Sequence, residues 1–334
     1  MSKSNNFGAG VPGLFRKLRQ ASTFNIFMIL LGMCLIMTFA AGNKFLSVSN
    51  ITSVVRQFSF YAIMSIGMVL VILTGGIDLS VGSVFAFSGV ISCMAIMRWG
   101  VPVIPSVLLG ILAGAVFGLL NGLCITKLQL PPFIATLGTM SIARGLSYGI
   151  TGGYPIGGLP DSFKFIGLGS ILDIPTPIIW MILLALLFSV FLRFTVRGRW
   201  VYAIGGNEEA ARISGVKVNQ TKCLVYMFSG MMAAVAGIAT AARLGVGQST
   251  AGSGYEMDAI AGVIIGGASV SGGYGNIIGP IMGAAIMGVL RNGLVLLDVS
   301  AYWQQAVIGV VIIIAVSFDK LQHDRKSASI SVSK

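Results

Sequence analysis

The sequence predicts an all-α polytopic membrane protein with about ten transmembrane helices. Two observations carry that prediction. Of 334 residues, 55% are hydrophobic and only 10% charged, whereas a soluble domain carries about 25% charged residues. The apolar residues also gather into runs of span length, separated by short polar stretches. Too few charges remain to solvate a globule's surface, and there are too many apolar residues for its interior. This composition excludes a soluble enzyme, a disordered chain and a nucleic-acid binder.

A helical span needs roughly 20 mostly apolar residues, because the hydrocarbon core is about 30 Å thick and each residue rises 1.5 Å. Ten segments answer to that description: 24–42, 58–75, 79–97, 103–126, 133–152, 174–194, 221–243, 257–271, 275–297 and 301–318. The first follows a basic tail, 1–23, with Lys3, Arg16, Lys17 and Arg19. The run after that tail is of full-span length with no A-x-A-like site closing it, so the tail does not read as a cleavable signal. In the fourth segment Gly110, Gly114, Gly118 and Gly122 recur at i, i+4, which predicts a face for close helix packing. Segment 257–271 is the weakest, short and rich in glycine. A polar tail, 319–334, closes the chain and holds its one histidine, His323.

Charge then orients the spans. With both termini cytoplasmic, fifteen of the 22 Lys and Arg residues lie inside and five outside, with Arg144 and Arg291 within spans. The six between 193 and 222 make that loop the most basic interior one. This bias follows the positive-inside rule, which also explains the net charge of +12.

A search for chemistry finds little. There is no GxxxxGK[ST], HExxH or GxSxG, and Cys34, Cys93, Cys124 and Cys223 read as buried hydrophobes rather than metal ligands. Neither a metal nor a cofactor is expected. The informative stretch is the polar loop 195–222. Gly205 and Gly206 predict a turn, Asn207 an N-cap, Glu208 and Glu209 an acidic first turn, and Gly215 the stop of a short helix.

Within that helix, Glu209-Ala210-Ala211-x-x-x-Gly215 resembles the EAA-type coupling loop of ABC importer permeases, although the Ile-x-Leu-Pro continuation is absent. Three longer stretches are more specific: Tyr202–Gly215 (YAIGGNEEAARISG), Val71–Ser83 (VILTGGIDLSVGS) and Thr250–Ala261 (TAGSGYEMDAIA). All resemble the ribose/monosaccharide branch of bacterial ABC importer permeases, and the similarity runs from about residue 24 to 320. The resemblance implies a permease domain, 24–318, in the bacterial inner membrane, working as a dimer with a second permease subunit. It implies a cytoplasmic ABC ATPase docked on Asn207, Glu208, Glu209, Ala210, Ala211, Arg212 and Gly215, and a periplasmic sugar-binding protein that delivers a monosaccharide.

Ionisable groups inside spans are costly and normally face a cavity or a partner. Asp78 lies in Thr74–Ser80 between two apolar runs, either in a cytoplasmic turn or in a break at depth. Asp78, Asn121, Arg144 and Asn292 are the candidates for a polar translocation seam, with an Asp78–Arg ion pair as the structural alternative. An ion-coupled secondary transporter is the competing class. It would need membrane-buried acids, and this segmentation buries only Asp78, leaving Glu256 and Asp258 near the outer end of a span.

Overall fold

A computed structural model describes residues 22–300, 302–311, 313, 314 and 317. Most of the N-terminal tail, the C-terminal tail and part of the tenth predicted span lie outside the described residues. Long helices dominate. In chain order they are α1 (Ser22–Ala41), α2 (Val48–Leu73), α3 (Val81–Met97), α4 (Val103–Thr126) and α5 (Pro132–Thr151). A short α6 (Asp161–Leu168) and a two-residue hairpin, β1 (Ser170–Ile171) with β2 (Ile174–Pro175), lead into α7 (Thr176–Phe194). Then come α8 (Val196–Gly206), α9 (Glu208–Ile213), α10 (Val218–Leu244), α11 (Tyr255–Ile265) and α12 (Ile278–Leu296). Residues 302–311 are helical as well.

Among the described residues, six helices are long and apolar enough to cross a membrane: Phe24–Lys44, α2, α4, α7, α10 and α12. α3 is apolar but shorter, at 17 residues. The predicted eighth span, 257–271, is corrected: α11 has 11 residues, about 16 Å of helix. It stops at Gly266, and the chain then turns through Gly267, Gly272 and Gly273, all at positive φ that glycine alone adopts freely. A hydropathy reading counts those glycines as span, yet their backbone ends the helix.

Two interior helices organise the bundle. Every residue of α2 from Ser59 to Leu73 is buried, as expected of a helix that is apolar on all sides. α10 lies beside it and packs against α4, α3, α2 and α6. The α4–α10 contact is the glycine face read from the sequence. A Cβ on Gly114 would meet the Gly230 carbonyl, one on Gly118 the Tyr226 carbonyl, and one on Gly122 the Cys223 Cα. Ascending positions on α4 meet descending ones on α10, so the helices run antiparallel with backbones in contact. Dispersion at that separation replaces the hydrophobic drive that lipid cannot supply. α11 and α12 repeat the device, Gly262 against Ala284 and Gly266 against Gly279.

α5 turns a stripe of small residues inward, Ala135, Thr139, Ala143, Ser147 and Thr151. Its other side is exposed and carries Ser141 among Leu137, Ile142 and Leu146.

Gly118→Val should separate α4 from α10, because the atoms it would strike are backbone and cannot rotate away. The expected cost is about 1–3 kcal/mol, read as a lowered thermal midpoint in detergent. Gly32→Val, at a position with open space around it, should leave the midpoint unchanged. Equal midpoints for the two variants would contradict the packing assignment.

Candidate functional site

The site begins where α2 ends. Thr74 and Gly75 close the helix, and Asp78 holds the turn that leads into α3. Asp78 is fully buried. Its Oδ1 accepts hydrogen bonds from the Ser80 amide (3.0 Å) and the Ser80 hydroxyl (2.6 Å), and its Oδ2 accepts from Ser229 Oγ on α10 (2.8 Å). Asn121 Nδ2 on α4 donates to Ser80 Oγ at 2.8 Å, and Thr139 Oγ1 on α5 donates to Asn121 Oδ1. Three helices thus meet at one carboxylate. They meet at depth: Asn121 lies five residues before the end of α4 and Ser229 eleven after the start of α10, about 8 and 16 Å along the helices. The turn that carries Asp78 is thus buried inside the helix bundle. The alternative Asp78–Arg ion pair does not form among the described residues, where hydroxyl and amide donors satisfy the carboxylate instead.

The other predicted path residues do not share that seam. Arg144 on α5 donates through Nη1 to the carbonyls of Ser249 and Ala251 (2.5 and 2.8 Å) and through Nη2 to that of Gly82 (3.4 Å). It lines a half-open cavity of about 350 Å³ together with Ser83, Met140, Ser141, Ser253 and Glu256. Asn292 lies elsewhere and exchanges two hydrogen bonds with Asn50 at the start of α2 (2.8 and 3.1 Å). One continuous seam is therefore replaced by three places: a sealed hub at Asp78 and Asn121, an open polar cavity at Arg144, and a helix tie at Asn292.

The structure also corrects the expectation that Asp78 is the one buried acid. Asp258 on α11 is fully buried and pairs with Arg291 on α12 at 2.6 Å. The Arg291 guanidinium lies over the rings of Tyr61 and Tyr255 at 5.8 and 6.0 Å. The signal for this pair was in the glycines: aligning Gly262 with Gly283 in an antiparallel pair brings 258 opposite 287, one helical turn from Arg291.

The cytoplasmic-loop candidates form a compact hook. Asn207 Oδ1 accepts from the Ala210 amide at 2.9 Å, so it is the N-cap of α9. Glu208 reaches Arg212 (3.1 Å) and Lys222 (2.6 Å), while Glu209 is exposed. Ala210, Arg212 and Ile213 are exposed too, Ala211 is buried against Ile204 and Val218, and Gly215 turns the chain at φ 84°. Gly205 and Gly206 are corrected from a turn to the last residues of α8. A Cβ on Gly205 would strike the Leu73 carbonyl and the Gly273 amide, and that amide donates to Leu73 O at 3.0 Å. The hook is therefore seated directly on the turn that holds Asp78.

A bundle of long apolar helices with interrupted helices at its centre and a capped polar hook at one end is a multi-pass permease. The chain belongs to the family described as branched-chain amino acid transport system / permease component, which matches residues 50–316. It is 46% identical over 279 residues to the ribose import permease protein RbsC of Bacillus subtilis (strain 168), covering 83% of this chain and 86% of that one. It is 44% identical over 280 residues to RbsC of Escherichia coli (strain K12), covering 83% and 87%. The galactose/methyl galactoside import permease protein MglC of Haemophilus influenzae is 37% identical over 331 residues, covering 93% and 97%. No solved structure matches the chain significantly.

Asp78→Ala should lower the thermal midpoint, because it leaves the Ser80 amide without its buried acceptor, a loss of about 1–3 kcal/mol. Asp78→Asn keeps one acceptor oxygen and the shape, and should lose less. If the two variants melt together with the parent, the carboxylate is not the hub described here.

Proposed function

We propose that the chain is the membrane subunit of an ATP-driven importer that moves a monosaccharide from the periplasm to the cytoplasm. The observation that carries this reading is similarity to sugar import permeases over at least 83% of the chain. The proposed assembly contains a second permease subunit, a cytoplasmic ABC ATPase that supplies hydrolysis, and a periplasmic sugar-binding protein. In this reading the permease domain spans 24–318 in the bacterial inner membrane, with α11 as a part-way helix rather than a crossing, and both tails (1–23 and 319–334) are cytoplasmic.

Within it, α9 and its flanks (195–222) dock on the ATPase. Exposure of Glu209, Ala210, Arg212 and Ile213 supports that role, as does the fold of the hook. The polar cavity at Arg144 is the part of the path open to solute. Asp78 and Asn121 serve the path from behind: they fix the turn that presents Gly82 to Arg144 and Ser83 to the cavity. A path of this kind suits a neutral polyhydroxylated solute, because a few dispersed polar groups can replace its water and still release it. Uptake of labelled ribose, xylose and galactose by proteoliposomes holding the complete importer tests the function directly. ATP-dependent accumulation of none of them would reject it.

Two further outcomes follow from the hook. In a cysteine-free background, Ser214→Cys should resist an impermeant thiol reagent in intact spheroplasts and react once the membrane is opened; labelling in intact spheroplasts would invert the topology. Glu209→Lys should insert and fold normally, since Glu209 is exposed and its nearest cation, Arg212, lies 4.0 Å away, yet lose most transport. Glu208→Lys should lower folded yield instead, because it places a cation against both Arg212 and Lys222. Parental transport by Glu209→Lys would remove α9 from the ATPase contact.

A further inference from the structure

We propose that Glu256 completes, opposite Arg144, a binding station for a vicinal diol of the transported sugar, with the hydroxyls of Ser83, Ser141 and Ser253 around it. This deepens the reading of the Arg144 cavity as the open part of the path, and it rests on that reading.

Five of the six residues lining the cavity are polar, although it opens beside the apolar face of α5. Its volume of about 350 Å³ falls within the range of small-molecule sites, about 300–1,000 Å³. Glu256 stands in the first turn of α11 and Ser83 in the first turn of α3. Both helices begin inside the bundle, so the cavity lies where two helix starts converge at depth. Irregular backbone is tolerated there because it lines a polar space. The two sides lock together closely: a Cβ on Gly82 would strike both the Glu256 carboxylate and the Gly252 carbonyl.

The charges decide what the cavity accepts. Arg144 commits three of its five N–H donors to the carbonyls of Ser249, Ala251 and Gly82. These bonds aim the guanidinium and leave two donors without a protein acceptor among the described residues. Glu256 forms no ion pair within 4.0 Å among those residues, even though Arg144 lines the same cavity. An acid and a base are thus held across a polar space without closing on each other. An anion entering the space meets the carboxylate, and a cation meets the guanidinium. A neutral diol satisfies both at once, because one hydroxyl can donate to Glu256 while its neighbour accepts from Arg144. The three serine hydroxyls act as donor or acceptor and tolerate different sugar stereochemistries.

The test uses the complete importer reconstituted in proteoliposomes, with D-ribose as the probe. Ser141→Cys, in a cysteine-free background, should react with a hydrophilic methanethiosulfonate, and excess D-ribose should slow that reaction at least threefold where the singly charged acetate and tetramethylammonium ions do not. Adding Glu256→Ala should abolish the protection. Glu256→Ala alone should lower uptake about tenfold, the effect of one charged hydrogen bond, while ATPase stimulation by the binding protein persists. Glu256→Gln keeps the packing against Gly82 and should fall between Ala and parent, which guards against a folding artefact. An unreactive Ser141→Cys would overturn the path reading itself. A reactive cysteine that ribose fails to protect, or protects equally in Glu256→Ala, would leave the path in place and reject the diol station. So would parental uptake by both Glu256 variants.

Discussion

Contact between the backbones of α4 and α10 is the constraint from which the rest of the interior follows. Asn121 lies between Gly118 and Gly122, and Ser229 precedes Gly230. The residues that let the helices touch therefore flank the residues that reach Asp78. A hydrogen bond fails beyond about 3.5 Å, and one added methyl at each glycine would push the helices apart by more than these bonds can stretch. The polar hub thus depends on the absence of side chains around it. In hydrocarbon this dependence is strict, since no water can substitute for a lost partner.

From the hub the chain carries the same turn in two directions. Backward, the Leu73 carbonyl accepts from Gly273 and abuts Gly205, the end of the helix that leads into α9. Forward, the Gly82 carbonyl accepts from Arg144 at the rim of the polar cavity. Eight residues separate Leu73 from Gly82, and Asp78 pins the segment between them. Any displacement of the α8–α9 hook acts first on a backbone contact without slack, because glycines on both sides leave no flexible side chain to absorb it. Close-packed elements transmit such shifts as discrete steps rather than smooth deformation.

How legible this was in the sequence depended on how local each interaction is. The cap at Asn207 is closed by an amide three residues away, so side-chain chemistry and spacing sufficed to read it. The α4 glycine face was legible because its period lies within one helix. The fate of Gly205 and Gly206 was not, because their role is set by Leu73 and Gly273, far off in sequence. The length of α11 was misread for a related reason: hydropathy weighs glycine as apolar and is blind to its positive φ. Candidate path residues were chosen by polarity within apolar runs, and that criterion cannot separate a group that faces a cavity from one that ties two helices. Asn292 is of the second kind, bound to Asn50 some 242 residues away. The Asp258–Arg291 pair escaped notice because its acid was counted near the outer end of a span, whereas the first turn of α11 is packed inside the bundle and Asp258 is fully buried there.

Placing the charges gives the interior a consistent electrostatic character. The charge of Asp258 is balanced by Arg291, and the carboxylate of Asp78 is solvated by hydroxyl and amide donors. In the proposed station Arg144 and Glu256 stand as opposed charges. Removing one partner of a buried pair leaves an uncompensated charge, at a cost of about 3–5 kcal/mol, so these groups act as units rather than as free carriers. A cation-coupled transporter needs an acid that can exchange its counter-ion within the membrane. Neither buried acid is placed for that, since one is held by a guanidinium stacked on two tyrosines and the other by short bonds from Ser80 and Ser229. What the cavity offers a solute is a mixed set of donors and acceptors in which one guanidinium and one carboxylate are both present. In the proposed station that set discriminates against charge of either sign more strongly than among neutral sugars, because its serine hydroxyls can donate or accept.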